Sequence, residues 1–226
     1  MTVNFHPKVG FCKVPDNLDE LPSLCFANGM FKSPSTLDLR DYCTKTEDQG
    51  NTSMCAAYTA AGFAENILWR MTDVPQNIDP VKIYRYAKSI DGDPNGEGTT
   101  LTAVGQALLD NGIFDKTKCA MKVIRSEALV RYAIHKFGCC LGGFNITEEW
   151  YGCDRKHPMI TGRMLNKTEG GHAVLICGYT RSSVIIQNSW GTEWGHYGFG
   201  MISWEAFRKQ FMYGVCISNV LDGMTI

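Results

Sequence analysis

The pattern of apolar and polar positions divides the chain beyond residue 36 into a helical first part and a strand-rich second part. Four segments of the first part have apolar residues at helical spacing or on most sides: residues 56–69, 81–90, 101–112 and 127–137. The last three follow residues that commonly cap helix N-termini: Asp79, Thr100 and Ser126. Gly112 and Gly138 predict where two of these helices end. We therefore expect four helices, the first of them alanine-rich and buried.

Five short runs in the second part are β-branched or alternating and are punctuated by glycine, which is typical of strands. These runs are residues 139–146, 172–180, 183–187, 198–202 and 214–219. Helices followed by strands predict an α+β fold with segregated layers rather than a doubly wound sheet. A cleft between two such lobes is a natural place for a functional site.

The first 36 residues carry few periodic patterns and hold four of the chain's eight prolines. Proline fixes the backbone and removes an amide donor, so it favours extended, non-helical structure. We therefore expect an extended leading segment that lies on a surface.

Composition and charge exclude several functions. The 22 Lys and Arg nearly balance the 23 Asp and Glu, which argues against a non-specific electrostatic grip on nucleic acid or on an anionic membrane. No apolar run reaches the roughly 18 residues that a membrane span needs. The N-terminus lacks a basic start followed by an apolar stretch, so no secretory signal is expected and a cytoplasmic location is the default.

One of the ten cysteines stands at a position suited to chemistry. Cys55 lies where a loop enters the alanine-rich helix. Free amides and the positive end of a helix dipole favour thiolate, which is the nucleophilic form of cysteine. The same amides could hold an oxyanion, and the side chain of Gln49 lies close enough in sequence to supply a second donor. The alternative is an inert, buried cysteine at a helix start, which is common.

A histidine and an asparagine further along the chain strengthen the catalytic interpretation. His172 opens an apolar strand, and Asn188 follows sixteen residues later. An imidazole–amide hydrogen bond between them would fix the ring so that its other nitrogen faces the thiolate. A lone histidine at a strand start is, by contrast, usually structural.

These residues together resemble the papain/cathepsin family of cysteine peptidases. The resemblance rests on Leu-Asp-Leu-Arg at 37–40, Asp-Gln-Gly at 48–50, Gly-Gly-His-Ala-Val at 170–174 and Asn-Ser-Trp-Gly at 188–191. Two positions depart from the family pattern around the nucleophile. Thr52 replaces a cysteine that forms a disulfide in secreted members, and Ala56 replaces a large aromatic residue.

The resemblance implies a two-lobed papain-like fold of the α+β class. An N-terminal helical lobe and a C-terminal β-rich, barrel-like lobe would flank the active-site cleft. Residues 37–226 would form the peptidase domain, and residues 1–36 would be an N-terminal extension. This extension is too short for the family's usual helical pro-domain, so it is either a structural arm or a short blocking segment.

The resemblance also implies a cysteine endopeptidase that acts on peptide or protein substrates without a metal or other cofactor. Cys55 and His172 would form a thiolate–imidazolium pair oriented by Asn188, with Gln49 in the oxyanion hole. Substrate contacts would fall to three further residues: Gly98, Gly171 and Trp190.

Two other functions remain open at the level of sequence. The first is a catalytically silent papain-like module that binds a partner or supports a structure. The second is an isopeptidase or acyl transferase that uses the same triad. Of the remaining cysteines, Cys177 and Cys216 lie in apolar strand patterns and are expected in the core. Cys12, Cys25 and Cys43 could form disulfides in an oxidising environment.

Overall fold

The computed structural model describes residues 12–26, 32–163 and 167–220. Within them, five α-helices are formed: α1 (Cys55–Thr72), α2 (Pro80–Ile90), α3 (Leu101–Asp110), α4 (Glu127–Phe137) and α5 (Trp204–Gln210). The side chains of Asp79, Thr100 and Ser126 accept hydrogen bonds from backbone amides in the first turns of α2, α3 and α4. The predicted caps are therefore confirmed, whereas α5 was not predicted.

Ten strands lie in the same part of the chain, several of them only two residues long. They are β1 (Cys12–Lys13), β2 (Leu37–Asp38), β3 (Thr99–Thr100), β4 (Ala120–Ile124), β5 (Cys140–Thr147), β6 (Met159–Ile160), β7 (Thr168–Tyr179), β8 (Ser183–Gln187), β9 (Phe199–Ser203) and β10 (Phe211–Ser218). The five predicted strands correspond to β5, β7, β8, β9 and β10, with small shifts at their ends.

The main sheet has the order β4-β10-β5-β7-β8-β9-β6, and β2 pairs with β7 beside this path. Its pairings are antiparallel except that of β6 with β9. The expected barrel-like lobe is wrong, because β4 and β6 form the two ends of an open path and no described pairing joins them. The α+β class is confirmed.

Two hydrophobic cores form on the two faces of the sheet. One contains the buried faces of α1, α2 and α3, and the other contains α4, α5 and Trp150. Cys139 and Cys140 lie in different cores, as expected for adjacent residues at the start of a strand. Cys177 and Cys216 are both fully buried, which confirms their place in the core.

The leading segment is less superficial than predicted. Strand β1 pairs in parallel with β3, and Ser23 forms a parallel bridge with Val123 on β4. Cys12 and Leu24 are buried. The segment thus pairs with strand edges of β3 and β4, whose backbone amides and carbonyls would otherwise lack these partners. None of the helices that the structure describes has the length and apolarity to cross a bilayer.

Candidate active site

Helix α1 presents the candidate nucleophile at its first residue. Cys55 is only 2% exposed, and the turn begins with hydrogen bonds from the Ala57 and Tyr58 amides to the Met54 carbonyl. No side chain caps this helix start. The amides of Cys55, Ala56 and Ala173 lie close enough to the Cys55 sulfur to favour its thiolate.

Gln49 is buried in the loop that leads into α1. Its Nε2 donates to the Thr52 carbonyl at 2.8 Å, and its Oε1 accepts from Ser189 Oγ at 2.6 Å. The backbone amide of Gln49 also donates to the Ser189 carbonyl at 2.8 Å. These contacts fix the side chain and tie the loop before Cys55 to the segment that carries Asn188.

His172 and Asn188 meet in the sheet as their spacing suggested. The His172 Nε2 lies 2.8 Å from Asn188 Oδ1, and His172 is fully buried. Because an amide oxygen can only accept, Nε2 carries the proton and Nδ1 keeps its lone pair. Nδ1 makes no hydrogen bond to a described residue, so the structure does not link the ring to Cys55 by a hydrogen bond.

Aromatic residues enclose the imidazole. The Trp190 ring lies over it with centroids 4.7 Å apart, and Trp150 meets it edge-on at 6.1 Å. The Tyr151 ring stacks on the Trp190 ring, with centroids 5.5 Å apart. Trp190 also lines an open groove of about 590 Å³ together with Asp48 and Tyr151. This packing excludes water from the His172–Asn188 bond.

The electrostatics describe an uncharged pair in this state. Burial raises the pKa of the Cys55 thiol from 9.0 to about 11, although nearby backbone amides oppose the rise. Burial lowers the pKa of His172 from 6.5 to about 4, and the bond to Asn188 only partly offsets this. Burial therefore disfavours the charged form of each group, which opposes the thiolate–imidazolium pair expected from the sequence.

The two glycines predicted to contact substrate lie beside the leading segment. Gly98 has a φ of +71° and its carbonyl accepts from Lys88 Nζ at 3.0 Å, immediately before β3. A Cβ built on Gly171 would lie 2.2 Å from the carbonyl oxygen of Cys12. Strand β1 thus runs between these two positions.

Several residues of this site were not found by sequence reasoning. Ser189 holds Gln49, Trp150 packs on His172, and Cys12 lies against Gly171. Ser189 lies within the Asn-Ser-Trp-Gly motif, but the motif alone does not pair it with Gln49. Trp150 carries no signal beyond apolar character, and the contact of Cys12 joins residues far apart in sequence. Within the described ranges, no group of three or more His, Cys, Asp or Glu side chains is arranged to hold a metal ion.

Comparisons with known proteins show which proteins this chain resembles. A family model described as papain family cysteine protease matches residues 114–213. Cathepsin K of Gallus gallus is 26% identical, over 76% of this chain and 59% of the relative. The chain therefore spans about three fifths of that relative's length.

Solved structures share the fold over nearly the whole chain. Xylellain, a cysteine protease from Xylella fastidiosa, superposes with a TM-score of 0.72 at 18% identity, covering 94% of this chain and 97% of that one. Procathepsin B S9 from Trypanosoma congolense superposes with a TM-score of 0.69 at 14% identity, covering 92% and 85%. The chain thus has the fold and, in its second half, the sequence signature of a papain-family cysteine peptidase, which confirms the resemblance.

Proposed function

We propose that the chain is a cysteine endopeptidase in which Cys55 attacks the carbonyl of a peptide bond. The observation that carries the proposal is the buried His172–Asn188 hydrogen bond beside a cysteine at an uncapped helix start. This arrangement supplies an oriented base and a nucleophile that backbone amides stabilise.

The reaction follows from these groups. Nδ1 of His172 accepts the proton of the Cys55 thiol as the sulfur attacks. The backbone amide of Cys55 and the side chain of Gln49 stabilise the oxyanion, each donor contributing about 3 kcal/mol. His172 then protonates the leaving amine, and water hydrolyses the thioester with His172 as the base. Asn188 holds the ring, and Trp190 shields that bond.

We propose that residues 37–226 form the peptidase domain and that residues 1–36 block its cleft. In support, β1 lies between Gly98 and Gly171, the positions expected to hold substrate backbone. A substrate strand and β1 would compete for the same edge of β3.

A hydrogen bond and an ion pair hold β1 in this position. The Tyr213 hydroxyl donates to the Lys13 carbonyl at 2.8 Å and accepts from the Leu101 amide at 2.9 Å. Lys13 also forms an ion pair with Asp93. The ion pair is solvent-exposed on both sides and contributes little, so burial of Cys12 and the Tyr213 bond carry most of the attachment.

Hydrolysis of short, unconjugated peptides under reducing conditions tests the activity. Cys55→Ala should abolish turnover, whereas Cys25→Ala, which removes an exposed cysteine elsewhere, should leave it unchanged. Turnover by a folded Cys55→Ala protein would overturn the proposal. Cleavage confined to ubiquitin-like conjugates would instead indicate an isopeptidase, and no turnover by any form would favour a silent module.

A further inference from the structure

The hydroxyl of Tyr213 is a buried polar group at the point where the leading segment meets the sheet. Tyr213 lies on β10 opposite Gly143 of β5, and its side chain is fully buried. Its hydroxyl accepts from the amide of Leu101, the first residue of α3, at 2.9 Å and donates to the Lys13 carbonyl at 2.8 Å. Burial raises the pKa of this hydroxyl well above 10, so it keeps its proton and remains a donor.

Strand β1 contacts its surroundings through its main chain. The Cys12 carbonyl approaches β7, where a Cβ added to Gly171 would lie 2.2 Å from the carbonyl oxygen. The next carbonyl, that of Lys13, meets Tyr213 instead. The Cys12 side chain lies beside Gly143, because a Cβ built there would be 3.2 Å from the Cys12 sulfur. Successive carbonyls of β1 therefore contact two different elements.

The hydrogen bond from Tyr213 recognises main chain rather than a side chain. The Lys13 side chain points elsewhere, to its ion pair with Asp93. Every residue of an extended strand carries a carbonyl acceptor, whatever its side chain and whichever way the strand runs. A second strand that replaced β1 would therefore bring a carbonyl of its own to the same hydroxyl.

Building on the proposed peptidase function and the proposed block of the cleft, we infer that Tyr213 is a substrate-binding residue. Its hydroxyl donates to one main-chain carbonyl of the peptide that replaces β1. The ligand class at this point is an extended peptide backbone, with no requirement for a particular side chain. Tyr213 thus adds a carbonyl contact to the backbone contacts expected at Gly98 and Gly171.

One hydroxyl serves the leading segment and the substrate in turn, so its removal affects both. Tyr213→Phe should weaken the attachment of β1, and limited proteolysis should cut the leading segment sooner than in the parent. The same variant should bind substrate less tightly, and these two effects oppose each other in the KM of the full chain. Comparing two substrates within one protein removes this conflict, because β1 competes equally with both.

The experiment is a thioamide scan of one short peptide that the full chain cleaves. In each member of the series, one backbone carbonyl outside the cleaved bond is replaced by a thiocarbonyl, whose sulfur is a weak acceptor. At one position we expect the kcat/KM of the parent to fall about threefold to tenfold, the size of one neutral hydrogen bond. The fall should lie in KM, and in Tyr213→Phe that thioamide and the ordinary amide should be cleaved equally well.

Tyr179→Phe is the matched control, because it also removes the hydroxyl of a fully buried tyrosine but lies in the other hydrophobic core. It should keep the thioamide effect and the parent's rate of cleavage in the leading segment. Tyr213→Phe retains the buried ring, and a thermal melt checks that it folds.

The possible outcomes separate this inference from the proposed function. Turnover with the same thioamide ratios in the parent, Tyr213→Phe and Tyr179→Phe would overturn the inference alone, because a purely structural tyrosine changes the rates for all peptides alike. A parent that cleaves no peptide would overturn the proposed function and the inference with it.

Discussion

At the scale of single residues, the site holds its reactive groups in a resting form. The helix start favours a Cys55 thiolate, but burial raises the thiol pKa to about 11 and lowers that of His172 to about 4. Proton transfer from sulfur to imidazole is therefore unfavourable while the site is covered. Hydration of the cleft would relieve the desolvation of both groups, so we expect the thiolate–imidazolium pair to form when the cleft opens.

Asn188 is the residue whose contribution can be isolated most cleanly. Asn188→Ala removes the acceptor of the His172 Nε2 proton and should lower kcat about tenfold to a hundredfold with little change in KM, because ring orientation is lost and substrate contacts are not. Steady-state kinetics on a short peptide measures this effect. Asn111→Ala, at the end of α3, is the control and should match the parent. Equal kcat in both variants would exclude an orienting role.

The pH dependence of stability also belongs to the residue scale. Since the folded-state pKa of His172 lies near 4 and its ordinary value is 6.5, the unfolded chain takes up this proton first as the pH falls. The free energy of unfolding should therefore decrease between pH 6.5 and 4, by up to about 3 kcal/mol from this residue. Urea unfolding of the full chain and of His172→Gln measures it. The variant should lose less stability between pH 6.5 and 4. An equal pH dependence of the free energy of unfolding in both proteins would contradict the lowered pKa of His172.

Sequence reasoning succeeded at this scale where side-chain chemistry acts locally. The caps at Asp79, Thr100 and Ser126 depend on hydrogen bonds within one turn, and all three formed. The His172–Asn188 contact was reached from spacing along two neighbouring strands. The protonation state of Cys55 could not be predicted from the sequence, because it depends on burial by residues distant in sequence.

At the scale of elements, the proposed block of the cleft rests on strand β1. It pairs with β3 over only two residues and presses the Cys12 carbonyl against Gly171 on β7. Its short pairing and its few anchors make it the element most readily displaced from the cleft.

Gly171→Ala should displace β1. The added Cβ would lie 2.2 Å from the Cys12 carbonyl oxygen, which backbone cannot accommodate, so the strand must shift away. We expect limited proteolysis to cut the leading segment sooner and a small thiol reagent to reach Cys55 faster. Peptide hydrolysis is not the readout, because the added methyl group also crowds the backbone of a substrate strand. The control is Gly152→Ala, whose Cβ would meet only an ordinary contact at 3.6 Å. A leading segment that is equally protected from proteolysis, with Cys55 labelled no faster than in the parent, would indicate a structural brace.

Elements were predicted unevenly for a physical reason. Helices with a cap and an apolar face, such as α4, are specified locally. The short helix α5 and the strand β4 were missed, because each is stabilised by its neighbours: α5 packs in the core with Trp150, and β4 pairs with β10. Segments this short carry little periodic signal of their own.

At the scale of the whole molecule, the main sheet is open, and residues 12–26 contact β3, β4 and β7. The path from β4 to β6 does not close, which the strand pattern alone could not reveal, since closure is a property of long-range pairing. The position of residues 12–26 was equally hidden, because its partners on β3, β4 and β7 lie far along the chain.

The central claim is that Cys55 is the nucleophile of a site that the leading segment covers. The most direct measurement is a brief pulse of iodoacetamide at neutral pH under reducing conditions, followed by mass spectrometry that locates the modified cysteine in the parent and in Gly171→Ala. We predict slow labelling of Cys55 in the parent and fast labelling in Gly171→Ala, ahead of every other buried cysteine. Labelling of Cys55 no faster than that of buried Cys216 in either protein would contradict the account.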